Sequence, residues 1–282
     1  MRGLMAQHLS TKGSDMRVLA AMAVVLALSA VPVLAGDFED GFKAYNGKDY
    51  ARAMEFWNKA AEKGSAPAQF AVGFMYEKGE GIAQDNKQAL FWYRRAAEQG
   101  LAGAQINLGS MYEKGQGTAQ DISQAVAWYQ KAADQGLAEA QFNMGRMYQT
   151  GQGVAQDYKQ TASWFRKAGE KGHIWAQSAL GLMYETGQGV ERDYKQSVYW
   201  YRKAAERGDS RAQFDLGRIY EAGQEGVAMD YVEAHKWWSI AAANDEERAR
   251  KGRVLVERLM TPEQIAEAKR RAGEWMKAHE NK

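Results

Sequence analysis

The dipeptide Ala-Gln stands at Ala68-Gln69, Ala104-Gln105, Ala140-Gln141, Ala176-Gln177 and Ala212-Gln213, each 36 residues after the one before. A fixed interval of that size marks an array of small supersecondary units, not one globular core. One unit, AQINLGSMYEKGQGTAQDISQAVAWYQKAADQGLAE, runs from Ala104 to Glu139, and its neighbours depart from it at few positions.

Each unit reads as two helices. Ala104, Leu108, Met111, Tyr112 and Gly115 recur at the spacing of one face of a 3.6-residue helix. Gly115 and Gly117 stop that helix, because glycine accepts the left-handed backbone of a helix end. Asp121 with Gln124 three residues on has the form of a capping box for the second helix. Asp85/Gln88, Asp157/Gln160, Asp193/Gln196 and Asp230/Glu233 repeat it. The second helix places Ala125, Trp128, Tyr129 and Ala132 on its buried side and ends at Gly136. The small Ala104 and Gly109 positions predict close approach of helix axes. No segment sustains the period-two alternation of a strand, so the expected class is all-α. A lone helix pair has too little apolar surface to offset the ordering of its backbone, so the units must stack.

The pattern AQxxLGxMYExGxGVxxDxxQAxxWYxKAAxxG resembles the Sel1-like repeat family, relatives of the tetratricopeptide repeats. The resemblance implies a right-handed α-α superhelical solenoid. It covers a degenerate first repeat over 36–67, with Gly41 to Gly64 as its core, and five repeats over 68–244 starting at 68, 104, 140, 176 and 212. The last repeat departs from its siblings: Gly223-Gln224-Glu225-Gly226 is one residue longer, and Trp238 replaces the usual Tyr or Phe. C-terminal capping helices are expected over 245–282, the final one opened by Thr261 as N-cap and Pro262 in the first turn.

The N-terminus reads as an address. Arg17 precedes the apolar run Val18 to Leu34, which ends in Val33-Leu34-Ala35, so a signal peptide over 1–35 with a cut after Ala35 is expected. An uncleaved anchor is the competing reading, and Met16 is an alternative start. No Cys follows the run, which excludes a lipoprotein. The mature chain is then expected in the periplasm or outside the cell. Removing 1–35 leaves 34 basic and 34 acidic side chains, and a neutral body lacks the basic footprint that nucleic acid demands.

Little in the chain promises chemistry. With no Cys there is no thiolate site. His173, His235 and His279 lie far apart without metal-ligand spacing, and are read as surface or packing residues. The pairs Gly79/Gly81 and Gly187/Gly189 follow helices, not strands, and lack the Lys of a phosphate loop. Trp92, Trp128, Trp164, Trp200 and Trp237 keep a fixed register beside Ala and are read as core. No Ser-x-x-Lys dyad or Gly-x-Ser-x-Gly elbow occurs in the mature chain. The expectation is a non-enzyme with no cofactor and no metal.

Positions 2, 6 and 9 residues after each Ala lie opposite the buried face of the first helix. By resemblance to tetratricopeptide repeats they line the concave side. The candidate groove therefore comprises Phe70, Ile106, Phe142 and Phe214, then Phe74, Arg146, Leu182 and Arg218, then Glu77, Glu113, Gln149, Glu185 and Glu221, with Ser110 and Ser178 interspersed. Phe74 and Leu182 interrupt an otherwise polar column and are expected to be exposed anchors. Packing of the Phe column and simple solvation of the Glu column is the competing reading. The expected function is a protein-protein interaction scaffold whose partner is hydrophobic and somewhat basic, with a monomer expected. The alternative is a cell-envelope enzyme or binder of the β-lactamase or peptidoglycan type on the same fold. Relatives described as β-lactamases carry a cysteine pair per repeat, which this chain lacks.

Overall fold

The computed structural model describes residues 32–279, and among them lie fourteen helices and no strand. Residues 1–31 of the expected signal segment fall outside the described residues. The expected cut after Ala35 lies in the first turn of α1 (Pro32–Asn46). Packing divides the chain into two compact units meeting at Gln135 and Gly136. The first contains α1, α2 (Tyr50–Glu62), α3 (Ala66–Lys78), α4 (Asn86–Glu98), α5 (Ala102–Lys114) and α6 (Ile122–Asp134). The second contains α7 (Ala138–Thr150), α8 (Tyr158–Glu170), α9 (Ile174–Thr186), α10 (Tyr194–Ala205), α11 (Ser210–Ala222), α12 (Tyr231–Ala243), α13 (Glu247–Glu257) and α14 (Pro262–His279). Within each unit every helix packs on the next along the chain as far as α13, while α14 folds back onto α12. This is the all-α repeat array that the spacing predicts.

One contact recurs in every hairpin. An aromatic ring of the second helix lies on a glycine of the first: Tyr93 on Gly73, Tyr129 on Gly109, Phe165 on Gly145, Tyr201 on Gly181 and Trp238 on Gly217. A Cβ added to Gly109 would stand 2.8 Å from the Tyr129 ring, so any side chain there would push the helices apart. Trp57 lies on Gly41 in the same way, which makes α1 and α2 a hairpin of the same kind despite their divergent sequence.

The Ala-Gln pair joins one hairpin to the next. Ala104 is fully buried, and Gln105 beside it donates from Nε2 to the Ala97 carbonyl at the end of α4, 3.1 Å away. Gln69, Gln177 and Gln213 make the same bond to Ala61, Gly169 and Ala205. Each thus gives a second donor to a carbonyl at the helix C-terminus that also accepts the N–H of the glycine closing the helix, as Ala97 does from Gly100. A second layer covers the glutamine: Gln99 donates to Gln69 Oε1 at 2.7 Å and Gln135 to Gln105 Oε1 at 2.8 Å. In the fourth repeat Arg207 occupies that position, and the buried Gln177 Oε1 has no partner.

Only the forward half of each expected capping box forms. The Asp85 carboxylate accepts from the Lys87 and Gln88 backbone N–H groups, and Asp121 accepts from Gln124. The reverse bond from the Gln side chain is replaced, because the Asp85 and Asp121 N–H groups donate to the Tyr76 and Tyr112 carbonyls of the preceding helix. That bond closes the loop and leaves the third-position side chain free to vary. Thr261 and Gln264 do form the full reciprocal box at the start of α14. In the longer last loop Gly223 adopts φ 63° and ψ 144°, where Gly79 and Gly115 are left-handed helical, and Gln224 pairs with Val227 across the turn.

The tryptophan column needs correction. Trp200 and Trp237 are buried, but Trp92, Trp128 and Trp164 are only half-buried. The position after each Trp carries the true core ring, and the Trp rings lie at the margin under a cation one turn on. Lys131 sits 3.9 Å over Trp128 and Lys167 sits 4.1 Å over Trp164.

Replacing Gln105 by Ala leaves the Ala97 carbonyl its bond from the Gly100 N–H but removes the Gln105 donor and the acceptor of Gln135, and is expected to cost about 0.5–1.5 kcal/mol. Arg207→Gln, which offers a donor to Gln177 Oε1, is expected to gain about 0.5–1.5 kcal/mol. Thermal melts of the two variants beside wild type check both signs.

Candidate functional site

The first helices of the hairpins carry the predicted groove positions. In the first unit most of these side chains are already engaged. Phe70 is buried against Tyr93, with ring centroids 5.4 Å apart. Phe74 is 3% exposed, which corrects its expected role as an exposed anchor. Tyr45 at the end of α1 covers it, 6.3 Å away edge-on. The divergent first repeat hides that neighbour from sequence reading. Ile106 is half-buried. Glu77 accepts the Tyr93 hydroxyl and Glu113 the Tyr129 hydroxyl, each at 2.7 Å. Burial raises the Tyr93 pKa, and the Glu77 charge adds to it, so the phenol remains the donor.

The same pairing runs through the second unit. Glu185 accepts the Tyr201 hydroxyl at 3.2 Å. In the third repeat Phe165 lies on Gly145 and has no hydroxyl to give, and there the glutamate position holds Gln149. The carboxylate column is therefore largely a set of acceptors for buried phenols, not a ridge waiting for a basic partner. In the last repeat Trp238 stands where the siblings have Tyr or Phe, and its indole Nε1 donates to the Phe214 carbonyl at 3.1 Å.

The second unit nevertheless keeps an open inner surface on α9. Leu182 is 41% exposed, as expected, and Trp175, one helical heptad before it, is 43% exposed. Phe142 from α7 is half-buried, stacked on Phe165 at 5.3 Å and on His173 at 4.3 Å, with Trp175 at 6.1 Å. On the other flank, Arg218 of α11 pairs with Glu185 and reaches Asp215 at 3.6 Å. Burial raises the Asp215 pKa, and Arg218 opposes that rise. Phe214 is half-buried beneath the Arg248 guanidinium at 4.5 Å. Arg146, Gln149 and Glu221 are half-buried on the same helices. Leu182 shares the outward face of α9 with Trp175, and Phe214 packs with Trp238 and Arg248; Phe142 and the Glu185–Arg218 pair are met by three further residues, Trp175, His173 and Asp215. Sequence reading missed those three, although Trp175 stands where the sibling repeats have Pro67, Gly103, Glu139 and Arg211.

An open cleft of about 970 Å³ lies on the other side of this unit. Arg166 and Glu170 of α8, Glu191 and Arg192 of the α9–α10 loop, and Tyr199 of α10 line it. Glu191-Arg192 replaces the Ala-Gln of three sibling loops. The Nε1 of Trp200, which also borders the cleft, is buried without a hydrogen-bond partner.

Two histidines serve packing. His173 caps α9 by accepting from the Ala176 N–H at 3.3 Å. His235 is fully buried, with Nδ1 3.2 Å from Ser239 Oγ and Nε2 2.7 Å from Glu257 Oε1. The order Ser, His, Glu matches a nucleophile relay, but the imidazole is sealed between α12 and the C-terminal helices, beyond the reach of a substrate. Burial lowers the His235 pKa against the opposing pull of Glu257, while Arg253 and Lys269 lower it further. Among the described residues no group of three or more His, Asp or Glu is placed to hold a metal, and no helix is long and apolar enough to cross a membrane.

Together these features define an α-helical hairpin-repeat protein whose first helices carry variable surface positions. The Sel1 repeat matches at residues 44–65, 66–101, 102–137, 138–173, 176–209 and 210–246, and the chain belongs to the Sel1 repeat family. It is similar to a Sel1 repeat protein from Oxalobacter formigenes, with 37% identity and a TM-score of 0.70, over 76% of this chain and 88% of that one. It is also similar to c5321, described as a protective antigen present in uropathogenic Escherichia coli strains displaying an SLR fold. That match has 30% identity and a TM-score of 0.59, over 88% of this chain and 62% of the other, so this chain spans less than two thirds of that protein's length. The curated proteins give no match.

Two outcomes are expected. Because the folded pKa of His235 lies below its unfolded value, its contribution is complete above about pH 6.5 and is lost as pH falls below that. Urea melts between pH 7.5 and 5 should show stability falling with pH in wild type and a flatter profile in His235→Gln. In the first unit a double-mutant cycle between Glu77→Gln and Tyr93→Phe should return a coupling of about 1 kcal/mol.

Proposed function

We propose that this chain is an exported, non-catalytic scaffold that holds a protein partner on the inner face of its second unit. The observation that carries the reading is the pair of large apolar side chains, Trp175 at 43% and Leu182 at 41% exposure, on one face of α9. A helix in the middle of an array has its other faces covered by neighbours. Apolar side chains left outward there suit an incoming helix or extended segment. Phe142 and His173 back Trp175, so the anchor is held in place before a partner arrives.

The structure refines the expected partner. Glu185 is occupied by Arg218 and Tyr201, which removes most of the reason to expect a basic ligand. An apolar side chain seated between Trp175 and Leu182 supplies the binding energy instead, with Arg218 and Asp215 at the rim. Export rests on the basic flank, apolar run and small-x-small end of residues 17–35.

Crosslinking and pull-down from an envelope extract, with wild type beside Trp175→Glu plus Leu182→Glu, test the scaffold. Loss of one or more partners from the variant is expected, at a cost of about 2 kcal/mol or more for a central anchor. Equal recovery of every partner overturns it. Cell fractionation with intact-mass measurement tests export, the expected mature N-terminus being Gly36.

A further inference from the structure

The C-terminal helix α13 continues the repeat register. Ala212 plus the 37 residues of the longer last repeat falls on Ala249, which is fully buried as its counterparts are. Ala249 and Val256 are buried facing α12, and Gly252 lies against the Trp238 ring. α13 also reaches α11, so it holds the place of the first helix of a further hairpin. A hairpin needs a second helix, and α14 does not take that seat. It packs along α12 and meets α13 at an edge, where Lys269 pairs with Glu257 at 3.7 Å.

The face this leaves uncovered is apolar. Val254 stands at the register position of Gly73, Gly109, Gly145, Gly181 and Gly217, where every earlier hairpin receives its second helix. Val254 is 48% exposed, Leu255 59% and Leu259 61%. With the exposed Lys251, Val254 and Leu255 occupy positions i, i+3 and i+4 of α13, and the exposed Arg258 and Leu259 extend this stripe into the turn that ends the helix. Lys251, Leu255 and Arg258 continue the three inner-face columns, and Arg258 reverses the charge of the glutamates before it.

We propose that this stripe is a docking seat for an amphipathic helix of a partner protein, one with acidic residues flanking a small-residue apolar face. It is a second surface, separate from that of α9. Three observations select the occupant. The seat lies where the fold pairs helix with helix. Val254 in place of glycine leaves no room for an aromatic ring, so the partner presents Ala or Gly there. Lys251, which stands 4.0 Å from Glu247 at the limit of an ion pair, and Arg258 flank the stripe with positive charge that favours carboxylates on the partner. A second copy of the chain fits badly, because antiparallel pairing about Val254 and Leu255 sets Lys251 of one copy against Arg258 of the other. A lipid surface fits badly too: the stripe is about 12 Å long and purely aliphatic, without the aromatic side chains that anchor interfacial helices.

The test uses the mature chain and two synthetic 18-residue helices with the same Ala/Leu stripe, one flanked by Glu and one by Lys. Fluorescence anisotropy is expected to show the Glu-flanked helix binding on the order of tenfold tighter. Leu255→Glu plus Leu259→Glu should abolish binding with an unchanged circular dichroism spectrum, and Lys251→Glu plus Arg258→Glu should invert the preference. Trp175→Glu plus Leu182→Glu should leave this binding intact, which separates it from the function proposed above. The inference is overturned if neither helix binds, or if the leucine variant binds as wild type does. Leucine-dependent co-sedimentation with phosphatidylglycerol vesicles, or leucine-dependent dimerisation at micromolar concentration, would also overturn it.

Discussion

A ring laid on bare backbone sets the dimensions of this molecule. Each hairpin closes by placing Tyr, Phe or Trp on a glycine of the facing helix, and the two axes come as near as that contact permits. Shallow hairpins follow, and with them the need for neighbours. Once the axes are close, the Ala of each Ala-Gln pair can meet the preceding helix, and the Gln beside it can reach that helix's terminal carbonyl. The contact within a hairpin and the contact between hairpins are therefore parts of one geometry. This explains why Gly and Ala-Gln keep step along the chain.

The same geometry explains which inner-face positions are free. A buried phenol must keep a hydrogen bond, and Glu77, Glu113 and Glu185 supply the acceptor. Where the ring is Phe165, the acceptor is released and becomes Gln149. The column that looks like a recognition surface in sequence is thus tied to the core two residues deep. Variation that is not tied to the core sits elsewhere, at Trp175, at Leu182 and on α13. Those are the places where a partner can be chosen without disturbing the fold.

Much of the fold was legible in the sequence because the repeat compares the chain with itself. The recurrence of Ala-Gln gave the period, the helical spacing gave two helices per unit, and the Asp positions gave the helix starts. What stayed hidden depended on contacts with no periodic trace. Phe74 reads as an exposed break in a polar column, yet Tyr45, from a repeat too divergent to align, covers it. The tryptophans read as core because of their regularity. Their regular partners are the lysines and arginines one turn on, which cover the half-buried rings of Trp92, Trp128 and Trp164 at the margin. Trp175 was visible as the odd residue in its column, but no pattern marks a side chain that points outward.

The final loop bears on how such a chain can change length. Units joined by the left-handed glycine turn share one joint geometry, so adding or deleting one of them is compatible with the recurring ring-on-glycine and Gln-to-carbonyl contacts. Gly223 leaves its helix with a positive φ but with ψ near 144° instead, and the turn closes on itself through Gln224 and Val227. That joint has no counterpart to recombine with. The terminus with its exposed leucines therefore lies beyond a joint unlike those of the four repeats before it.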